Sequence, residues 1–347
     1  MTERTSQRVL LARRPVGEVA PEDFRLEEGP VPEPGPGEVL ARTIWLSLDP
    51  YMRGRMNEGP SYAAPVALGE VMQGECVGQV LASRADGFAP GDFVRGHGGW
   101  QSHFVLPAGK LARLDPADAP LSTALGVLGM PGFTAYVGLN VIARPKKGET
   151  VVVGAASGAV GAIAGQLARL AGCRVVGVAG GAEKCRYVEG ELGFDRCLDR
   201  KEPDLAGRLK QACPDGIDVY VELVGGDLLW AALPLMNLHG RIPVIGSIAW
   251  YNLKSLPEGP DRSPLLVRTV LTKRLKVEGL IIYDHAHLEP EFRHEVGPWV
   301  RAGQVKYRED VVDGLAHAPE ALIGLLKGRN FGKLLVAVSP DPTRQPS

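Results

Sequence analysis

Apolar and polar positions change rhythm twice along this chain, and the changes divide it. From Arg8 the apolar residues come in short β-type runs separated by Gly and Pro: Arg8–Ala12, then the turn-rich stretch Pro30–Gly37, then Glu38–Leu46, which alternates. Cys76–Ala82, Asp92–Val94 and Ser102–Leu106 are further predicted strands. Short strands with frequent turn signals predict a small, irregular β-barrel rather than a helical bundle. From about Ala119 the spacing turns helical, through Ala124–Leu128 and Thr134–Ile142, up to the turn Pro145-Lys-Lys-Gly148.

Beyond that turn the rhythm is strand, helix, strand. Thr150-Val-Val-Val153 and Cys173–Ala179 are short apolar runs suited to buried parallel strands. Leu205–Ala212 predicts a helix, Gly216–Val224 a strand, and Asp227 an N-cap for a helix over Leu228–Leu238. Gly240–Gly246 and Leu275–Ile282 predict strands on either side of a long polar loop, and Glu289–Arg301 predicts a helix. A strand near Val311, a helix over Pro319–Leu326 and a strand over Leu334–Val338 follow, and these late strands are expected to rejoin the N-terminal domain.

The chemistry concentrates between the first two parallel strands. Gly154, Gly158 and Gly161 are spaced G-x-x-x-G-x-x-G at the passage from strand into an Ala-rich helix. Small residues there let backbone N–H groups at a helix start approach a dinucleotide pyrophosphate. Two plainer readings stand beside it: a membrane helix with G-x-x-x-G packing faces, since residues 150–168 carry no charge, and a strand–helix turn with no ligand. The end of the second strand favours the nucleotide. An NAD site places a carboxylate there for the ribose hydroxyls; this chain has Ala179-Gly-Gly-Ala182, with Lys184 close behind. Glycines with a nearby cation suit a 2′-phosphate, and hence NADPH over NADH. The alternative for Lys184 is an ordinary exposed lysine at a helix start.

Composition narrows the classes. Among 347 residues, Lys plus Arg total 39 against 40 for Asp plus Glu, so no basic patch or acidic tail argues for nucleic acid or a membrane surface. The length predicts two domains. Five cysteines without C-x-x-C, and an N-terminus without an apolar h-region, predict a reduced cytoplasmic protein.

The motifs in order resemble a family, the zinc-independent medium-chain dehydrogenase/reductases, specifically the NADPH-dependent alkenal/one double-bond reductases, which include prostaglandin, leukotriene and curcumin reductases. They are Asp49-Pro-Tyr-Met-Arg53, Ala124–Tyr136, Ala155–Gly161, Val224-Gly-Gly226, Ile245–Asn252 and Asn330-Phe-Gly-Lys333. The resemblance implies an α/β protein: a GroES-like β-barrel domain for substrate and catalysis, residues 1–128 with 310–347, and a doubly wound Rossmann domain, 129–309, with the site in the cleft between them. It implies that Gly158, Ala159, Val160 and Gly161 hold the pyrophosphate and Lys184 the 2′-phosphate. Gly246, Ser247, Ile248, Tyr251, Leu280, Ile281, Ile282 and Asn330 would hold the ribose and nicotinamide, and the family analogy adds a homodimer. Two positions depart from the pattern: Arg200, where relatives often carry tyrosine and where a guanidinium suits the phosphate still better, and Leu223, where they carry asparagine.

Where zinc-dependent relatives carry ligands, this chain reads Leu46-Ser-Leu-Asp49 and Leu68-Gly-Glu-Val71, and the four-cysteine loop is missing. A metal held by His285 and His287 on a strand edge is one reading, but a solvated pair is expected there, and His97 and His103 are expected to be structural. The candidate donors for an enolate oxygen are Tyr251 and Tyr51, ahead of Tyr62 and Tyr283; the alternative for each is simple packing. Three functions stay open: reduction of α,β-unsaturated ketones or aldehydes, reduction of quinones, and non-catalytic NADPH binding.

Overall fold

The computed structural model describes residues 5–344. The reading of the N-terminus falls partly on residues 1–4, and the bound at 347 reaches past residue 344; those ends lie outside the described residues. The chain divides into two units. One comprises the chain up to Gly126, Glu309–Asn330 and the chain from Leu334 onward; the other comprises Val127–Arg308 with Phe331–Lys333.

The second unit is built on six parallel strands, numbered here β1 (Thr150–Val153), β2 (Arg174–Ala179), β3 (Arg196–Asp199), β4 (Ile217–Val221), β5 (Met236–Val244) and β6 (Lys276–Gly279). Their spatial order is β3-β2-β1-β4-β5-β6, so the order reverses between β1 and β4, where doubly wound sheets place their ligands. Val151, Val152, Val153, Val175, Val176, Val219 and Val221 are all fully buried. That explains why these strands read as continuous apolar runs: both faces of the sheet are covered. The helices that follow β1 are α1 (Gly161–Leu170), α2 (Ala182–Gly190), α3 (Leu205–Ala212), α4 (Gly226–Ala232), α5 (Ser263–Lys273) and α6 (Glu289–Arg301).

The first unit is built on a mixed sheet: Glu309–Asp313 lies beside Lys333–Ala337, with Lys333 N–H donating to Arg308 O and Gly314 N–H to Ala337 O in a parallel sense, and the pairings beyond it are antiparallel. Lys333–Ala337 pairs with Glu38–Ser47, which pairs onward with Cys76–Ser83 and then Phe93–Gly96. The return of the late strand brings Leu335 opposite Ser47. Trp100 is fully buried and stacks on Phe24 with ring centroids 5.6 Å apart, in a core with Phe104, Met52 and Met56.

Several predicted elements take another form. Ala124–Leu128 is not helical throughout: a 3-10 turn covers Leu121–Leu125, and a fresh helix starts at Met130–Tyr136 with Pro131 in its first turn, where a missing N–H costs nothing. That helix continues as π-type turns over Val137–Ala143. The Leu228–Leu238 helix is shorter than expected. It starts after Gly225 rather than at Asp227, and gives way at Leu233–Leu235, which holds Pro234, to β5. The polar loop before β6 contains α5. His285 and His287 sit in the 3-10 segment Ile282–Leu288, not on a strand edge. Phe24–Pro30, Ala112–Leu114 and β3 are strands whose short or mixed patterns gave no clear signal. Among the described residues no helix is long and apolar enough to cross a membrane; α1 spans 10 residues and packs within its unit.

Candidate functional site

Between β1 and α1 the chain makes a tight turn. Ala155 takes the left-handed conformation at φ 47°, and its carbonyl accepts the Gly158 N–H at 2.8 Å. Ala156 N–H donates to Val178 O at 3.0 Å, tying the turn to β2. A Cβ on Gly161 would stand 2.4 Å from the Ala155 oxygen and 2.8 Å from the Gly154 oxygen, so only glycine lets the helix begin this close to the strand. Val160 precedes α1 without a side-chain cap, and of the first helical N–H groups that of Ala162 donates to Gly158 O at 3.0 Å. Gly158 bridges Gly332, which sets the segment Phe331–Lys333 beside the turn.

The end of β2 carries cations instead of a carboxylate. Arg200 N–H donates to Ala179 O at 2.8 Å, and its Nε lies 3.1 Å from where a Cβ on Gly180 would be. Lys184 occupies the first turn of α2, half-buried. Asp199, at the end of neighbouring β3, turns its carboxylate to the backbone and accepts Gly181 N–H at 2.8 Å and Lys201 N–H at 2.9 Å. Burial pushes that carboxyl up, but those N–H groups with the charges of Lys201 and Arg208 hold it below its ordinary value. A ring cluster completes the region: the Arg308 guanidinium lies 3.9 Å from the Phe331 centroid, Tyr187 meets that ring edge-on at 5.1 Å, and Lys184 Nζ stands 6.0 Å from it. Burial raises the Tyr187 phenol, with Arg308 pulling the other way. A helix start facing a small-residue turn fits a pyrophosphate, and Lys184, Arg200 and Arg308 fit a phosphate monoester. Sequence reasoning missed Arg308 and Tyr187, because nothing in their local sequence announces a ring that lies far along the chain.

Two loops leave the carboxyl ends of β4 and β5. Ile248–Trp250 forms a 3-10 turn, and the half-buried Tyr251 curls back so that its hydroxyl accepts Ser247 N–H at 3.4 Å and lies 3.3 Å from a Cβ position on Gly246. Leu223 O accepts Ile248 N–H at 3.4 Å. Leu280 is buried and its N–H donates to Val244 O at 2.9 Å, which starts the Leu280–Ile282 stretch beside the end of β5. Gly158, Ala159, Val160, Gly161, Lys184, Arg200, Gly246, Ser247, Ile248, Tyr251, Leu280, Ile281 and Ile282 therefore all belong to the second unit.

Tyr51 and Asn330 belong to the first unit, with Asn330 directly preceding Phe331 in the chain. Tyr51 is half-buried against the core, and the Arg55 guanidinium lies 5.6 Å from its ring and 4.3 Å from that of the exposed Tyr62. Arg53 is buried and donates to Gly17 O at 2.8 Å and to Asn57, so the charge in the Asp49–Arg53 motif serves the fold of its turn. His103 is buried with Nδ1 3.1 Å from Ser102 Oγ, whereas His97 and Tyr283 are exposed. Among the described residues no group of three or more His, Cys, Asp or Glu is gathered to hold a metal ion.

Residues 7–114 match the family described as the N-terminal domain of oxidoreductase, and residues 159–297 the family described as zinc-binding dehydrogenase. The chain is 52% identical over 340 residues to NADPH-dependent curcumin reductase of Escherichia coli (strain K12), covering 98% of this chain and 99% of that protein. It is 46% identical over 315 residues to 2-alkenal reductase (NADP(+)-dependent) of Nicotiana tabacum, covering 90% of each. Among solved structures, CurA from Vibrio vulnificus in complex with NADPH matches with a TM-score of 0.94 and 48% identity, over 96% of this chain and all of that one (100%). Likeness of this extent, over nearly the whole length of both chains, means that the protein belongs to the zinc-independent medium-chain dehydrogenase/reductases, in the subfamily of the alkenal, curcumin and prostaglandin reductases.

Proposed function

We propose that the chain is an NADP-dependent oxidoreductase that uses NADPH to reduce the C=C bond of α,β-unsaturated ketones and aldehydes. The observation that carries this reading is the Tyr251 hydroxyl, curled onto Ser247 N–H at the carboxyl end of β5, on the side of the sheet where the glycine turn also opens. When bound, NADPH supplies a hydride for the β carbon of the substrate. Lys184 and Arg200 pair with its 2′-phosphate, and Gly158, Ala159, Val160 and Gly161 admit its pyrophosphate. Gly246, Ser247, Ile248, Leu280, Ile281, Ile282 and Asn330 would hold its ribose and nicotinamide. As negative charge develops on the substrate carbonyl oxygen, Tyr251 donates a hydrogen bond to it; the bond from Ser247 uses an oxygen lone pair and strengthens the phenol as a donor. Tyr51 is the second candidate donor. A proton from solvent then reaches the α carbon, giving the saturated ketone or aldehyde and NADP+.

The names of the relatives support the substrate class, since the curcumin and 2-alkenal reductases are named for conjugated carbonyl compounds. In the proposed division of labour, residues 1–128 with 310–347 serve substrate and catalysis, and 129–309 hold the cofactor and also contribute Tyr251. The setting is cytoplasmic, consistent with free thiols at Cys76, Cys173, Cys185, Cys197 and Cys213. A homodimer is proposed with it, through the outer strand β6. The test is NADPH oxidation against a panel of enones, enals and quinones, with the product identified by mass. A saturated ketone or aldehyde is expected; turnover of quinones alone would make this a quinone reductase, and NADPH binding without turnover of any of them a non-catalytic protein.

A further inference from the structure

We infer that Glu222 is a positioning residue for Tyr251, acting through the two loops that leave the carboxyl ends of β4 and β5. The inference rests on the reading of Tyr251 as the donor to the substrate oxygen. Glu222 follows the last residue of β4 and is 3% exposed, an unusual place for a carboxyl group. Its main chain closes the sheet: its N–H donates to Pro243 O at 3.0 Å, and its carbonyl accepts Ile245 N–H at 2.9 Å and Gly246 N–H at 3.2 Å. Its side chain then holds the chain that follows, Oε1 accepting both Val224 N–H and Gly225 N–H at 2.7 Å.

The loop so held is what Tyr251's loop rests on. Leu223 O and Val224 O accept Ile248 N–H at 3.4 Å and Ala249 N–H at 3.0 Å. Gly225 has φ 73°, and a Cβ there would stand 2.9 Å from the Trp250 ring, so the ring of the residue before Tyr251 lies directly on the clamped turn. Tyr251 N–H donates to Ile248 O at 3.3 Å, and its hydroxyl returns to Ser247 N–H. An unbroken series of hydrogen bonds and one ring contact therefore runs from the carboxyl group to the phenol.

No strand ladder supports residues 223–226, since β4 ends at Val221 and Gly225 and Gly226 both take positive φ. A side-chain acceptor is what satisfies the Val224 and Gly225 N–H groups. Burial pushes the Glu222 carboxyl up, and the N–H groups of Gly225, Val224 and Leu223 pull it part of the way back. Its second oxygen and the Tyr220 hydroxyl are both buried without a well-formed bond to any other group, and each disturbs the ionisation of the other. An apolar side chain of similar volume would fill this place at less electrostatic cost, but it would leave the loop unheld.

The experiment compares Glu222→Gln, Glu222→Asp and Glu222→Met in the full-length enzyme, alone and combined with Tyr251→Phe, using NADPH and 2-cyclohexenone. Glu222→Met keeps the volume and removes the acceptor. It should lower kcat about tenfold or more while the Kd for NADPH, read by nucleotide fluorescence, stays within about threefold. Glu222→Gln keeps an acceptor for both N–H groups and can donate to Tyr220, so it should restore kcat to within about threefold of the parent. In the Tyr251→Phe background Glu222→Met should cost less than about twofold, because the two changes remove one function. Amide exchange without cofactor should quicken in residues 223–226 and 245–251 and not in the rest of the sheet. If Glu222→Met does not fold, Glu222→Asp, which draws the acceptor back by one methylene, carries the same tests with a smaller loss. Parental kcat in the Met or Asp variant, equal losses in the two backgrounds, or a Gln variant as impaired as the Met variant overturns the inference while leaving Tyr251 in its role. A Tyr251→Phe enzyme that runs at the parental rate removes the reading beneath it.

Discussion

Tyr251 and Lys184 separate the two halves of the proposed chemistry, and each can be tested alone. Tyr251→Phe keeps the ring and removes only the hydroxyl, so kcat on a good enone should fall by roughly ten- to a thousandfold, the scale of losing one donor to a developing oxyanion. NADPH affinity should hold, because the proposed phosphate contacts lie at the glycine turn and the end of β2. A parental rate would transfer the role to another group. Lys184→Ala should do the reverse and weaken NADPH by on the order of 1–3 kcal/mol while leaving NADH unchanged. Isothermal titration with both cofactors checks it, and equal losses would put Lys184 outside the phosphate site.

At the scale of elements, helix propensity and packing disagree at Gly165, in the middle of α1. Gly→Ala in a helix interior normally stabilises by about 1 kcal/mol. Here a Cβ would stand 1.8 Å from the buried Phe194 ring, so overpacking should win and the melting temperature should fall by an amount equivalent to about 1–3 kcal/mol. Adding Phe194→Leu should recover part of the loss. Glu149, just before β1, and Arg241 on β5 form a partly buried bidentate pair. Burial pushes the Glu149 carboxyl up, but Arg241 and the Lys146 N–H outweigh it and hold the group below its ordinary value of 4.5. A depressed carboxyl adds stability above its unfolded value and loses it as pH falls through the folded one. Glu149→Gln should therefore lower the melting temperature at neutral pH, and its difference from the parent should shrink as pH drops below about 4.5. A difference that persists at acid pH would mean the pair acts by packing.

At the scale of the whole molecule, β6 is the outer strand of its sheet, with Val277 exposed between Lys276 and Glu278. Antiparallel pairing of two copies about Val277 would set each Lys276 against the partner's Glu278, a self-complementary edge. The proposed dimer should sediment as such, and Val277→Pro, which removes an edge N–H, should shift it toward monomer. Sedimentation unchanged by that substitution would move the interface elsewhere. Elemental analysis should find no stoichiometric zinc, and a chelator should leave activity intact; a tightly held zinc would contradict the metal-free reading.

What the sequence determined by itself was whatever local pattern encodes. Continuous valine runs specified strands buried on both faces, the glycine spacing specified a strand-to-helix turn, and the missing carboxylate after Ala179 pointed to NADPH as the cofactor. The order of motifs was enough to identify the subfamily. Boundaries failed where Pro131 and Pro234 reset the backbone, and α5 was lost because its apolar positions remain largely exposed. Tertiary structure alone decided which distant groups meet. The order β3-β2-β1-β4-β5-β6 lays the end of β3 beside that of β2, so Asp199 anchors the Gly181 turn and Arg200 reaches Gly180. The pairing of Gly158 with Gly332 sets Phe331 against Tyr187 and Arg308. The ends of β4 and β5 make Glu222, one residue in an apolar run, the anchor of two loops. The reason is range: hydrophobic periodicity is set by neighbours a few residues away, whereas a buried polar group is defined by the partners that close around it after the sheet has formed.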